Sequence, residues 1–203
     1  MQSIDIYSAL ADSFAQQYEL VSFESVHKDW LHLIPAVGIA LDVGAGSGRD
    51  AAYLVKQGLK VVAVEPAKKL RHLAQKLHQG QDIQWMDDRL PDLKSVRELS
   101  FNFDIILLSA VWMHLRQDER DIALKSLNEL LDSNGLIVIT LRHGSSPDER
   151  VMYPVSRIEI FEIIERLNLP LCELTFETST SDALGRDNVK WETVVLKRNC
   201  MDC

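Results

Sequence analysis

Residues 40–66 read ALDVGAGSGRDAAYLVKQGLKVVAVEP: an apolar run, a loop of alternating glycines, a helical pattern and a second apolar run. Few folds accept that order. The two apolar runs are too short for helices, and the segment between them has apolar residues at helical spacing. The stretch is therefore a βαβ unit with parallel strands. The rhythm continues downstream, with strands expected at 39–43, 60–64, 83–86, 103–109 and 136–141. Helical patterns fill the gaps at 50–57, 68–78, 93–99 and 118–131. Strands interleaved with helices make a doubly wound, mostly parallel α/β sheet covered on both faces.

Both ends of the chain depart from this rhythm. Apolar-periodic segments at 4–20 and 23–33, the second ended by Pro35, read as helices laid before the core. After a helix at 156–167, stopped by Pro170, come two strand-like segments, 172–178 and 190–197. The stretch SDALGRDN between them is too short for a crossover helix, so they form an antiparallel hairpin at the C-terminal edge of the sheet. Residues 1–35 are expected to be a helical lid, 36–198 the core and 199–203 a tail of a single domain.

At 203 residues the chain is long enough for one domain with a substantial core. A net charge of −8 without a basic patch argues against nucleic acid as a partner. No apolar run approaches the roughly 20 residues that span a bilayer, and MQSIDIYSAL lacks the basic start of a secretory signal. No membrane association is expected, and the expected location is cytoplasmic. Cys172 lies in an apolar run and reads as a buried thiol. Cys200 and Cys203 form a CxxC with no second ligand pair nearby, so no metal site is expected.

Glycines 44, 46 and 48 follow a strand and precede a helix, the setting of a nucleotide-binding loop. Dinucleotide folds use GxGxxG, with the pyrophosphate on the helix N-terminus. Here the spacing is GxGxG, and Asp42 stands two residues before the first glycine. A carboxylate there would repel a pyrophosphate and suit a ligand carrying an ammonium and a sulfonium. Glu65, ending the second strand, is placed to accept from ribose hydroxyls. Asp87 and Asp88 follow the third strand, where an acid accepts from an adenine amino group.

LDVGAGSG, VVAVEP, WMDDRLPDL and FDIILLSAVWMHL together resemble the successive nucleotide-site motifs of class I S-adenosylmethionine (SAM)-dependent methyltransferases. The resemblance covers about residues 35–198. It implies a seven-stranded Rossmann-like sheet ending in an antiparallel hairpin, and SAM as cofactor. Carried over by position, Asp42, Gly44, Ala45, Gly46 and Gly48 line the methionine part and sulfonium, and Glu65 holds the ribose. Asp87, or alternatively Asp88, takes the adenine amino group, and Ser109 and Val111 form the floor beneath the transferring methyl.

The acceptor must approach from the same edge of the sheet, beyond the strands' C-terminal ends. His114 and His143 follow the fourth and fifth strands and are the candidate bases. Trp112 is a candidate acceptor platform or a packing residue. Arg142 and Arg150 are candidate clamps for an acceptor anion, or partners of surface acids. Tyr18, with Tyr7 and Phe14, is positioned to close over the top, and Trp191 reads as core. SAVW stands where enzymes methylating exocyclic amines of bases resemble one another in [D/N]PP[Y/F], and no cysteine lies near for cytosine C5 chemistry. The expected activity is methyl transfer to a small-molecule acceptor, with a protein or peptide as the lesser candidate. The competing readings are a non-catalytic SAM-binding subunit and an NAD-dependent oxidoreductase.

Overall fold

The βαβ unit at 40–66 folds as its pattern dictates, with β1 (Ile39–Val43) and β2 (Lys60–Val64) paired in parallel through α4 (Arg49–Lys56). The structure is a computed structural model and describes residues 3–146, 148–174, 180–181 and 188–198. β3 (Ile83–Met86) follows α5 (Lys68–Leu77), and β4 (Phe103–Leu108) and β5 (Leu131–His143) flank α6 (Gln117–Leu130). Then come α7 (Arg157–Leu167), β6 (Leu171–Leu174), β7 (Thr180–Ser181) and β8 (Lys190–Arg198). The strand order is β3-β2-β1-β4-β5-β8-β6, with β7 also on β8. β6 pairs the last residues of β8 and β7 its first, so the two short pieces share the seventh position of a seven-stranded sheet.

The C-terminal hairpin has the expected antiparallel sense, but its second strand is interior. β8 inserts between β5 and β6 and pairs β5 from Leu136↔Lys197 to His143↔Lys190. That partner carries β5 past the expected end at 141, and a register shift after Phe103↔Leu131 starts it earlier than 136. Thr178, most of the SDALGRDN turn and the CxxC of Cys200 and Cys203 lie outside the described residues. Cys172 is half-buried on β6 rather than a core thiol.

Alternation along each strand sends successive side chains to opposite faces. Leu41, Ile106, Ile137, Ile139, Val194 and Leu196 pack one face against α6 and α7, with Leu124, Leu127, Ile160 and Ile163. Ala40, Ile105, Leu107, Val138 and Val195 pack the other, with Ala51 and Leu54 of α4 and with Phe23 and Trp30. The expected helix at 4–20 is two helices, α1 (Ser3–Ala9) and α2 (Ala11–Glu19), broken at Leu10, where φ is −108° and ψ 26°. The pattern at 23–33 divides into α3 (Phe23–His27) and a 3₁₀ turn, Leu31–Leu33. The pattern at 93–99 yields only the turn Val96–Glu98, because Leu93 has φ +49° and cannot start a helix. Ala11 and Ala15 pack on Ala67 and Leu70, seating the first two helices over the C-terminal ends of the strands. Among the described residues no helix is long and apolar enough to cross a membrane.

An interior β8 makes a testable demand. Leu196→Ala, at a fully buried position, is expected to cost about 2–5 kcal/mol in urea unfolding. Ile158→Ala, on the exposed face of α7, should stay within about 0.5 kcal/mol of wild type.

Candidate active site

The loop after β1 folds back over the end of β2, with the Gly44 and Ala45 amides both donating to the Val64 carbonyl at 2.8 and 2.9 Å. Gly44, Gly46 and Gly48 have φ of +71°, +58° and +86°, a region that a residue with a Cβ rarely adopts. Space adds a second requirement. A Cβ on Gly44 would stand 2.6 Å from Val111 Cγ2, and one on Gly48 2.7 Å from the Trp85 ring. One on Gly46 would meet the Tyr18 ring at 3.4 Å. The outer glycines thus admit side chains of neighbouring segments, and the middle one lies directly beneath the lid.

Three acids are buried here, Asp42, Asp50 and Glu65. Asp42 accepts from the Ala51 amide, and its Oδ2 has no hydrogen-bond partner among the described residues. Burial, reinforced by the charge of Asp50, pushes its carboxyl well above the usual range. Glu65 accepts from the Gly46 amide at 2.9 Å and the Ala67 amide at 2.7 Å, and burial raises it as well. Asp50 behaves oppositely: burial opposes its charge, but Arg49 at 2.6 Å and His27 at 3.1 Å hold it below the usual carboxylate range. Arg49 also donates to the Tyr18 and Val21 carbonyls. Ser47 donates to Glu19 at 2.7 Å.

A cavity of about 1580 Å³ opens over these residues, larger than the ~300–1,000 Å³ typical of a single small ligand. Asp42, Gly44, Ala45, Gly46, Glu65 and Asp88 line it, as do Ser109 and Val111 after β4. Tyr18, His114, Arg142 and Arg150 line it too. Gly48 lies behind the wall. Asp87 lies outside it, paired with Arg71 at 2.7 Å. Asp88, in the wall, spends its carboxylate on the Arg89, Ser95 and Val96 amides at 2.7–3.0 Å.

Two of the expected acceptor-side residues are elsewhere. His143 alternates with Arg142 on β5 and so faces the other side of the sheet, where it pairs with Glu192 at 3.2 Å. Trp112 is 0% exposed and packs into the core, so no acceptor can rest on it. Trp191, expected in the core, is half-buried in the cavity wall. Arg142 donates to the Gly144 and Ser145 carbonyls at 2.9 and 3.0 Å, and Arg150 pairs with Asp148 at 2.8 Å.

His114, on the 3₁₀ turn Trp112–His114, remains in the wall. Its Nδ1 is 3.0 Å from the Val151 carbonyl. A carbonyl only accepts, so Nδ1 carries the hydrogen. Burial lowers the His114 pKa, favouring the neutral ring. Nε2 is then an acceptor, and the Tyr7 hydroxyl 3.0 Å away donates to it. Arg150 in turn donates to the Tyr7 oxygen at 3.0 Å, with its guanidinium 4.5 Å from the Phe14 ring centre. Sequence reasoning placed Tyr7 in the lid but gave it no partner. The only signal was an aromatic stripe at 7, 14 and 18. It also passed over Thr140, a polar residue within an apolar strand, whose Oγ1 accepts from the Ala110 amide at 2.7 Å.

A family model described as "Methyltransferase domain" matches residues 41–139. An uncharacterized methyltransferase of Alkaliphilus oremlandii is 27% identical over 138 residues, covering 64% of this chain and 58% of the relative. The chain thus spans about three fifths of the length of the curated relatives it matches (58% and 63% for two of them). Among solved structures, the 1,6-didemethyltoxoflavin-N1-methyltransferase of Burkholderia thailandensis, with bound 1,6-didemethyltoxoflavin and S-adenosylhomocysteine, superposes with a TM-score of 0.66 at 20% identity. The match covers 96% of this chain and 88% of that one. A TehB-like SAM-dependent methyltransferase from Corynebacterium glutamicum also gives 0.66 at 20% identity, covering 94% and 99%. At that identity the likeness speaks for the fold.

The His114 geometry fixes a pH dependence. Its folded pKa lies below the ordinary 6.5, so the folded chain binds fewer protons than the unfolded one just below that value. The ring's contribution to stability is complete above about pH 6.5 and declines on acidification toward the folded pKa. In urea unfolding, wild type should lose more stability than His114→Asn between about pH 7.5 and 5.5. An equal or smaller loss would contradict the neutral, carbonyl-bonded ring.

Proposed function

We propose that the chain is a class I SAM-dependent methyltransferase that binds SAM and methylates a small-molecule acceptor, a reading supported by the match of residues 41–139 to a methyltransferase-domain model and by the fold it shares with solved methyltransferases. The observation that carries this reading is Asp42: a buried carboxylate with one oxygen lacking a hydrogen-bond partner among the described residues, facing a cavity roomy enough for two ligands. Such a group is stabilised by a cation placed beside it, which fits an ammonium and sulfonium and not a pyrophosphate.

In this reading Glu65 keeps its two amide bonds and uses its remaining lone pairs for the ribose hydroxyls. Gly44, Ala45 and Gly46 carry the methionine part, and Ser109 and Val111 lie under the sulfonium. Of the two acids after β3, Asp88 is the one in the cavity wall, and it is assigned to the adenine end. SAM bound there supplies an electrophilic methyl for direct displacement, leaving the protein to align the acceptor and dispose of its proton. Neutral His114 would be the base, acting through Tyr7: the Tyr7 hydroxyl would pass its own proton to Nε2, to which it already donates, as its oxygen takes up the acceptor's proton. Tyr7, Tyr18 and Arg150 close over the acceptor side, which favours a small molecule over a protein surface. The likeness to a methyltransferase of the small heterocycle 1,6-didemethyltoxoflavin supports the same choice.

Calorimetry with SAM and NAD, followed by label transfer from methyl-labelled SAM to fractionated metabolites, tests the reading. SAM should bind and NAD should not. SAM affinity should rise with pH, because the cationic ligand requires Asp42 ionised while burial in the free protein favours its protonated form. Asp42→Asn should weaken binding and flatten that dependence. NAD binding, or a SAM affinity that falls as pH rises, would contradict it.

A further inference from the structure

We propose that Thr140 is a positioning residue that sets the floor of the cofactor site by holding Ala110 in a left-handed conformation; the inference rests on the SAM reading above. Ala110 follows β4 with φ +60°, a region unfavourable for any residue with a Cβ. Its amide donates to Thr140 Oγ1 at 2.7 Å, so the unfavourable backbone is held by a side chain from the adjacent strand. On β5 the residue two positions before Thr140, on the same face, is Val138, and both Val138 and its cross-strand partner Val195 are core. Thr140, paired with Thr193, marks where that face passes from core to cavity. Nothing about packing requires a hydroxyl there; Ala110 does.

The left-handed turn at Ala110 determines where the next residues go. It presses Val111 onto the glycine loop so closely that a Cβ on Gly44 would be 2.6 Å from Val111 Cγ2. It also begins the 3₁₀ turn Trp112–His114, and so places the imidazole. One hydroxyl therefore couples the floor, the glycine loop and the base. A buried amide that loses its acceptor is costly, so without the hydroxyl Ala110 relaxes toward ordinary φ and Val111 withdraws from Gly44.

The test is S-adenosylhomocysteine affinity by calorimetry on the full chain. Thr140→Val, nearly isosteric, should weaken binding about tenfold. Thr140→Ser, which restores the acceptor oxygen, should stay within about twofold. In an Ala110→Gly background, Thr140→Val should cost only about twofold, because glycine adopts φ +60° unaided. Wild-type affinity in Thr140→Val, failure of Thr140→Ser to restore it, or an undiminished penalty in the glycine background would each overturn the proposal. Hydrogen exchange needs neither ligand nor variant. The Ala110 amide of the wild-type chain should be protected, and exchange at open-loop rates would overturn the pin whatever its ligand. A wild-type chain that binds no S-adenosylhomocysteine refutes the SAM reading instead, and the exchange result then decides the pin separately.

Discussion

Glu65 accepts hydrogen bonds from the Gly46 and Ala67 amides at 2.9 and 2.7 Å; the first fastens the glycine loop to the end of β2, and the second fixes the carboxylate on its own turn. A carboxylate taken out of water needs such donors, since an unsatisfied buried charge costs several kcal/mol, roughly. The loop conformation follows from that need. The loop turns through positive φ at Gly44, two residues before the Gly46 amide that meets Glu65. Arg71, from α5, closes the arrangement by donating to the Glu65 backbone carbonyl.

Asp42 sits one strand away under different terms. Its Oδ2 lacks a hydrogen-bond partner among the described residues, while Asp50 beside it commands Arg49 and His27. Arg49 and His27 are therefore committed to Asp50, and Asp42 is the acid left to meet a ligand's charge. The same commitments secure the N-terminal helices. His27 comes from α3, Arg49 reaches the Tyr18 and Val21 carbonyls after α2, and Glu19 accepts from Ser47. Lifting the first three helices would strip Asp50 of His27 and Ser47 of Glu19, so the seating of these helices and the loop geometry are stabilised together.

The alternation of apolar runs was enough to read β1, β2 and β3 to the residue, because each is a short apolar run ended by a glycine or an acid: Gly44, Glu65 and Asp87. The glycine loop, Asp42 and Glu65 were legible because unusual residues at a strand end carry chemical meaning on their own. Positions depending on long-range pairing were less so. His143 and Arg142 are adjacent, and which of them faces the cavity is settled by β8, some fifty residues later in the chain. Trp112 stands in a loop-like stretch, yet it is buried because the turn at Ala110 directs the following residues inward. The outer glycines were read as room for a ligand, whereas Val111 and Trp85 occupy that space. The partner of Tyr7 and the role of Thr140 escaped notice because each has meaning only through a residue from another segment.

The account stands on two buried carboxylates meeting one adenosyl ligand, and a crystal structure of the chain with S-adenosylhomocysteine tests that directly. The expected density places both ribose hydroxyls on Glu65, with its Gly46 bond kept, and the ligand's ammonium on Asp42. The ligand's sulfur is expected over Ser109 and Val111, on the side facing His114. Ligand bound elsewhere in the cavity, or seated with its ammonium away from Asp42, would contradict the account at its centre.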